Sequence, residues 1–277
     1  MIVRRVWVGV YNDGFIHAGN LAYMTLLAIF PFFIAAAAVF VLVGDQGQRE
    51  TSIDAILVAV PPSVARVIGP AAHDALAARE GWLLWAGALL GLWTGSSLVE
   101  TIRDILHRAY GTPATKAFWH YRLASTGMIF GSVVLLQIAI TAQIGILTAQ
   151  QVIEAYFPRF DELSVQFILS HAVSAGVLFT SIYLLFRSLT PEPYRRSPYP
   201  KWPGALIITS WWLLVMLVLP KVLSHVVSYN LTYGSLAGAM IALFFFWLVG
   251  LGIVVGAELN AALAETPEER EMLAQGG

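Results

Sequence analysis

The sequence predicts an all-α fold, a polytopic membrane bundle of six transmembrane helices, and three observations lead there. Of the 277 residues, 58% are apolar and only 12% are charged, about half the roughly 25% usual in soluble proteins, so a soluble globule would struggle to cover its surface. The apolar residues fall into six long runs separated by polar or proline-marked segments. Each run is about twice the roughly ten residues of a barrel strand and is apolar on every side, which excludes a transmembrane β-barrel.

The first run, 21–43, carries no charge and is interrupted only by Thr25 and Pro31. At 1.5 Å per residue it makes about 34 Å of helix, enough to cross a hydrocarbon core of about 30 Å. It is longer than the apolar core of a cleaved signal and follows Arg4 and Arg5, so it reads as a retained first span. Further spans follow at 82–99, 123–148, 165–186, 204–224 and 235–257. Residues 1–263 then form one integral membrane domain, with 264–277 as a tail. Orientation follows from the cations. With the N-terminus inside, the inner segments hold 11 Lys/Arg and the outer ends and loops 5, which predicts both termini in the cytoplasm.

In the first outer segment, Ile53, Ile56, Leu57, Val60, Val64, Val67 and Ile68 recur at helical spacing, and Pro61 and Pro62 interrupt them. This predicts short amphipathic helices over 53–80, as interfacial helices or as a gate. Glu100 to Tyr110 continues the second span as an amphipathic helix leaving the membrane. The inner loop 191–203 interleaves Arg195, Arg196 and Lys201 with Tyr194, Tyr199 and Trp202 among five prolines. It reads as a stiff connector with an aromatic interface anchor, against the alternatives of lipid attraction or nucleic-acid contact. Thr266, Pro267 and Glu269 begin a short helix in the tail.

Glycines four apart, at 87, 91 and 95, at 127 and 131, at 234 and 238 and at 252 and 256, mark faces on which helices approach closely. Two polar lanes share one spacing: Gln137, Thr141 and Thr148 in the third span, Ser170, Ser174 and Ser181 in the fourth, with His171 beside them. They serve as interhelical hydrogen bonds or line a hydrated path in which His171 titrates. Few charges lie near the membrane: Glu100, Arg103, Lys221 and Glu258. Glu258 stands at the negative end of a helix dipole and should seek a cation, with Arg103 or another inner arginine the expected partner.

Chemistry-bearing motifs are missing. There is no cysteine, no phosphate loop, no HExxH and no nucleophile elbow, and the six histidines are scattered. No catalytic residue, metal or cofactor is expected, and no nucleic-acid partner. Membrane lipids are the expected partners, with an unknown polar or lipid substrate, and no oligomeric state is implied.

These residues together resemble the YihY/BrkB family. The likeness is carried by Asn20, Leu21, Ala22 and Tyr23 followed by Phe30 and Pro31; by Trp93 with Ser96 and Ser97 leading to Ala109 and Tyr110; by Pro203, Gly204 and Ala205; by Tyr229 with Tyr233, Gly234, Ser235 and Leu236; and by Trp247, then Gly256, Ala257, Glu258, Leu259 and Asn260. It covers about residues 15–263, and His107 stands where the family more often has asparagine. The resemblance implies a polytopic bacterial inner-membrane protein, described as a transporter and linked in some members to envelope or serum resistance. Members were once labelled ribonuclease BN, a label the residues argue against, because a hydrolytic nuclease needs metal ligands or an acid–base pair facing water. The expected function is a transporter or a lipid- or envelope-related translocation protein, and the alternative is a non-transporting scaffold for envelope assembly.

Overall fold

The computed structural model describes residues 2–43, 57, 60–77, 82–113, 119–129, 131, 163–195, 199–225 and 236–264. Among them, all regular structure is helical. A short helix α1 (Ile2–Gly9) runs through one π-helical turn (Val10–Gly14) into α2 (Phe15–Val43). Then come α3 (Pro62–Ala77), α4 (Trp82–Ala109), α5 (119–129), α6 (Leu163–Leu189), the single turn α7 (Glu192–Arg195), α8 (Trp202–His225) and α9 (Ala237–Ala262).

Among the described residues, three stretches are long and apolar enough to cross a membrane: Phe15–Ile34, Trp202–Leu223 and Ala237–Ala262. These correspond to the first, fifth and sixth predicted spans. The first begins earlier than the apolar run, because polar residues His17 and Asn20 join the helix. The second and fourth runs lie in the long helices α4 and α6, and α6 contains the shorter apolar stretch Ala175–Leu189. Of the third run only 123–129 and 131 are described.

α2 packs most extensively along α4, and α9 lies against α2 and α8. One apolar cluster fills the end where α4, α6 and α9 finish, with Leu106, Phe186, Leu189, Tyr194 and Ala257 at its centre. A second joins α3, α8 and α9 through Val64, Ile68, Leu219 and Phe245. Helix α3 starts on Pro62, the position where a missing N–H costs nothing. It turns Val64, Ile68 and Ala72 inward, one helical turn apart. This amphipathic helix therefore caps the bundle end opposite the α7 turn, and residues 53–56, 58, 59 and 78–80 of the predicted segment lie outside the described residues. Leu206, Leu213 and Leu217 share an outward, exposed face of α8. α1 is amphipathic but buries none of its residues; Val3 and Trp7 are 81% and 70% exposed beside Arg4 and Arg5. A basic helix with exposed apolar residues suits a membrane interface, and the sequence reading passed over it.

Small residues set the α8–α9 contact. A Cβ on Gly256 would come within 2.7 Å of Ile208 Cδ1 and 2.9 Å of the Gly204 carbonyl oxygen, and one on Gly252 within 2.6 Å of Trp211. Trp211 Nε1 donates to the Leu248 carbonyl at 2.7 Å. Of the other glycine pairs, Gly95 meets Ile129 and Gly238 meets Val67, whereas no described atom lies within 4 Å of a Cβ on Gly127 or Gly131. The expected close approach at 127 and 131 is therefore not formed among the described residues, because α5 turns its polar positions, not these glycines, to α4.

Candidate functional site

The polar chemistry of the described residues gathers where α4 meets α5. Trp93, Ser97 and Glu100 recur at i, i+4 and i+7 and so share one face of α4. Across from them, Arg122 is 6% exposed. Its Nη1 donates to Ser97 Oγ at 3.0 Å and to Glu100 Oε2 at 3.1 Å, and Nη2 donates to the Trp93 carbonyl. The guanidinium also lies 3.9 Å above the Trp93 ring. One turn further along, the Ser96 and Thr126 hydroxyls are 2.8 Å apart. Glu100 Oε1, Arg122 Nε and Ser125 Oγ are buried with no hydrogen-bond partner. An ion pair held this far from water is costly unless completely hydrogen-bonded, and this one is incompletely satisfied.

A small cleft opens next to this seam, lined by Arg103, His107, Tyr121, Pro191, Glu192 and Arg195 over Leu189, with a volume of about 30 Å3. Arg103 is 8% exposed; its Nη1 donates to the Tyr121 carbonyl at 3.4 Å and its guanidinium sits 4.8 Å from the Tyr121 ring centre. Burial pushes the His107 imidazole below the ordinary histidine range, partly offset by a hydrogen bond that the ring donates to the Thr112 backbone. Helix α4 ends just beyond it. Gly111 has φ 63°, and its N–H and that of Thr112 bond back to the Arg108 and His107 carbonyls at 2.9 Å each, a left-handed glycine stop. Tyr110, Tyr194 and Tyr199 then stack in sequence, with ring centres 4.9 Å and 5.4 Å apart. Burial raises the Tyr110 phenol to about 12. It lowers the Lys201 ammonium, whose Nζ donates to the Tyr199 carbonyl at 2.6 Å.

A third feature ties the start of α8 to the end of α9. Asn260, 1% exposed, accepts the Gly204 N–H on Oδ1 at 2.8 Å and donates from Nδ2 to the Lys201 carbonyl at 3.1 Å. A first-turn N–H has no partner inside its own helix, so a side chain from the neighbouring helix caps it.

The residues singled out from sequence fare unequally. Arg103 and Glu258 do not form an ion pair. Arg103 turns to α5, while Glu258 lies against Gly9, with Arg5 the cation acting on it. The cause is topological: α9 borders α1 and α2 at this level, and the Arg103 face of α4 looks away from it. Of the polar lanes, Gln137, Thr141 and Thr148 lie outside the described residues; Ser170, His171 and Ser174 fall on α6 but their side chains lie outside them too. Ser181 is exposed on α6. Tyr23 is exposed, and Pro31 sits within α2. Trp247 stacks on Phe15 with ring centres 6.0 Å apart. Tyr229, Tyr233 and Gly234 lie outside the described residues, as does the tail helix. Sequence reasoning missed Arg122, and it grouped Arg195 with the cations of the 191–203 loop without placing it beside Arg103. The signal for Arg122 was present, an arginine at the inner end of the third run with a carboxylate at the inner end of the second.

A family model described as virulence factor BrkB matches residues 11–275. A protein of Bacillus subtilis (strain 168) named as the ribonuclease-like protein YfkH is 26% identical over 91% of this chain and 90% of its own length. The UPF0761 membrane protein of Verminephrobacter eiseniae (strain EF01-2) is 27% identical over 89% of this chain, which spans 58% of that relative. No solved structure matches. Trp93, Ser97, Gly204, Gly256 and Asn260, five of the positions that carried the resemblance, help to build the seams above, and the chain belongs to the virulence factor BrkB family of membrane proteins.

Proposed function

We propose that this is a six-span bacterial inner-membrane protein, with both termini cytoplasmic, that translocates a polar or lipid substrate. The observation that carries the reading is the Arg122–Glu100 pair with its unsatisfied Glu100 Oε1 and Arg122 Nε. The pair lies at the inner ends of the second and third runs, and a buried ion pair kept there without full hydrogen bonding is costly, which supports a role in contacting a substrate or ion. The sequence adds polar lanes in the third and fourth runs, and transporter sites lie near the membrane midplane.

The chain has no cysteine, so single cysteines at Gln137, Thr141, Ser174 and Ser181 report water access directly. Translocation predicts that these positions react with aqueous thiol reagents in a state-dependent way, and that reconstituted vesicles move lipid or solute. Protection of all four from both sides in every state contradicts it and leaves a scaffold, a reading that the close α8–α9 contact favours. The name of the Bacillus relative makes ribonuclease a third class. Among the described residues no three His, Asp or Glu side chains gather as metal ligands would, and RNA turnover by the purified protein, lost in Glu100→Gln, would establish that class instead.

A further inference from the structure

We propose that the cleft between α4, α5 and α7 binds a phosphate-type oxyanion, presented by a phospholipid headgroup or as the free ion. This does not depend on translocation. Arg103 is buried, yet it makes one long hydrogen bond, 3.4 Å to the Tyr121 carbonyl, and its other N–H groups have no acceptor among the described residues. A guanidinium carries five donors in a planar fork, and the Arg103 donors that lack an acceptor are not among the buried unpartnered atoms, so they stay open on the side where Arg103 lines the cleft. Glu100 attracts it, but that carboxylate is held by Arg122 at 3.1 Å. A second guanidinium, Arg195, lines the same cleft; its Nε is fixed by the Thr190 carbonyl at 3.2 Å, which sets its orientation.

Two arginines brought together repel, and Arg195 does act unfavourably on the Arg103 charge. Against them the cleft sets one carboxylate, Glu192, so its balance is positive. An oxyanion answers both demands, because two guanidinium forks match phosphate oxygens in shape and charge. A volume of about 30 Å3 admits a group of a few heavy atoms. The His107 ring, held neutral near pH 7 by burial, and the Tyr121 side chain complete a wall that offers hydrogen bonds without further charge.

The test uses the full-length protein in maltoside micelles, with the thermal unfolding midpoint as readout, since a ligand of the native state raises it. Inorganic phosphate is titrated against chloride at constant ionic strength. In a second arm, phosphatidylglycerol is added to the micelles and compared with diacylglycerol, which lacks the phosphate. The expected result is a saturable rise in one or both arms. Saturation by phosphate alone identifies the free ion, and a rise with phosphatidylglycerol but not diacylglycerol identifies the headgroup. Arg195→Gln removes an exposed side chain and should weaken binding about tenfold, whereas Glu192→Gln should tighten it about threefold by removing repulsion. Neither ligand raising the midpoint, or a rise that Arg195→Gln leaves unchanged, overturns the proposal.

Discussion

Truncating Arg122 to alanine would leave Glu100 as a half-buried carboxylate with neither oxygen partnered, since Oε1 lacks a partner already and Oε2 has only Arg122. The expected loss is about 3 kcal/mol, because a stranded charge costs more than the pair contributes. The paired neutral variant Arg122→Gln/Glu100→Gln should recover most of it, read as the coupling energy of a double-mutant cycle in detergent unfolding. Equal, additive losses would show that the pair is not coupled. His107 gives a pH signature. Its folded-state value is below the ordinary 6.5, so the unfolded chain binds more protons and stability rises with pH through that range. The unfolding midpoint should fall as pH drops from 7 toward 5, and His107→Asn should flatten the fall; an unchanged profile contradicts the assignment. Sequence showed Glu100, Arg103 and Glu258 as charges near the membrane but not their partners. Pairing depends on which helix faces which, and a charge at a helix end looks the same whichever neighbour it meets.

At the scale of elements, the α8–α9 seam was the more legible. Glycines at 252 and 256 marked a close approach, and the structure places Trp211 and Gly204 against them. What spacing could not show was the opposite partner or the cap from Asn260. Gly256→Ala should therefore separate the helices, costing about 1–3 kcal/mol through overpacking against Ile208 and the Gly204 carbonyl. Gly127→Ala, where no described atom is within 4 Å, should cost under about 1 kcal/mol. Asn260→Ala strips one donor and one acceptor and leaves the Gly204 N–H and Lys201 carbonyl buried, a loss of about 1–3 kcal/mol. Asn260→Asp keeps the acceptor alone and should fall between. Thermal unfolding in detergent ranks the four, and a Gly127→Ala loss equal to that of Gly256→Ala would refute the seam. Helix α1 was invisible to a search for long apolar runs, since its eight residues set two adjacent arginines among apolar side chains.

For the whole molecule, hydropathy alone set the class. Runs of about twenty apolar residues leave few arrangements in water, and the exposed leucines of α8 show the same surplus from outside. Bundle order was not legible, because lipid-facing and helix-facing positions are both apolar and only small or polar residues distinguish them. The central claim, a chain threaded six times through the inner membrane, is tested most directly by labelling single cysteines in intact cells with a membrane-impermeant maleimide. The account predicts that Arg49→Cys and Arg159→Cys react from outside, while Ser197→Cys and Gln275→Cys react only after the cells are opened. Outside reactivity at Ser197→Cys or Gln275→Cys, or none at Arg49→Cys and Arg159→Cys until lysis, would contradict it.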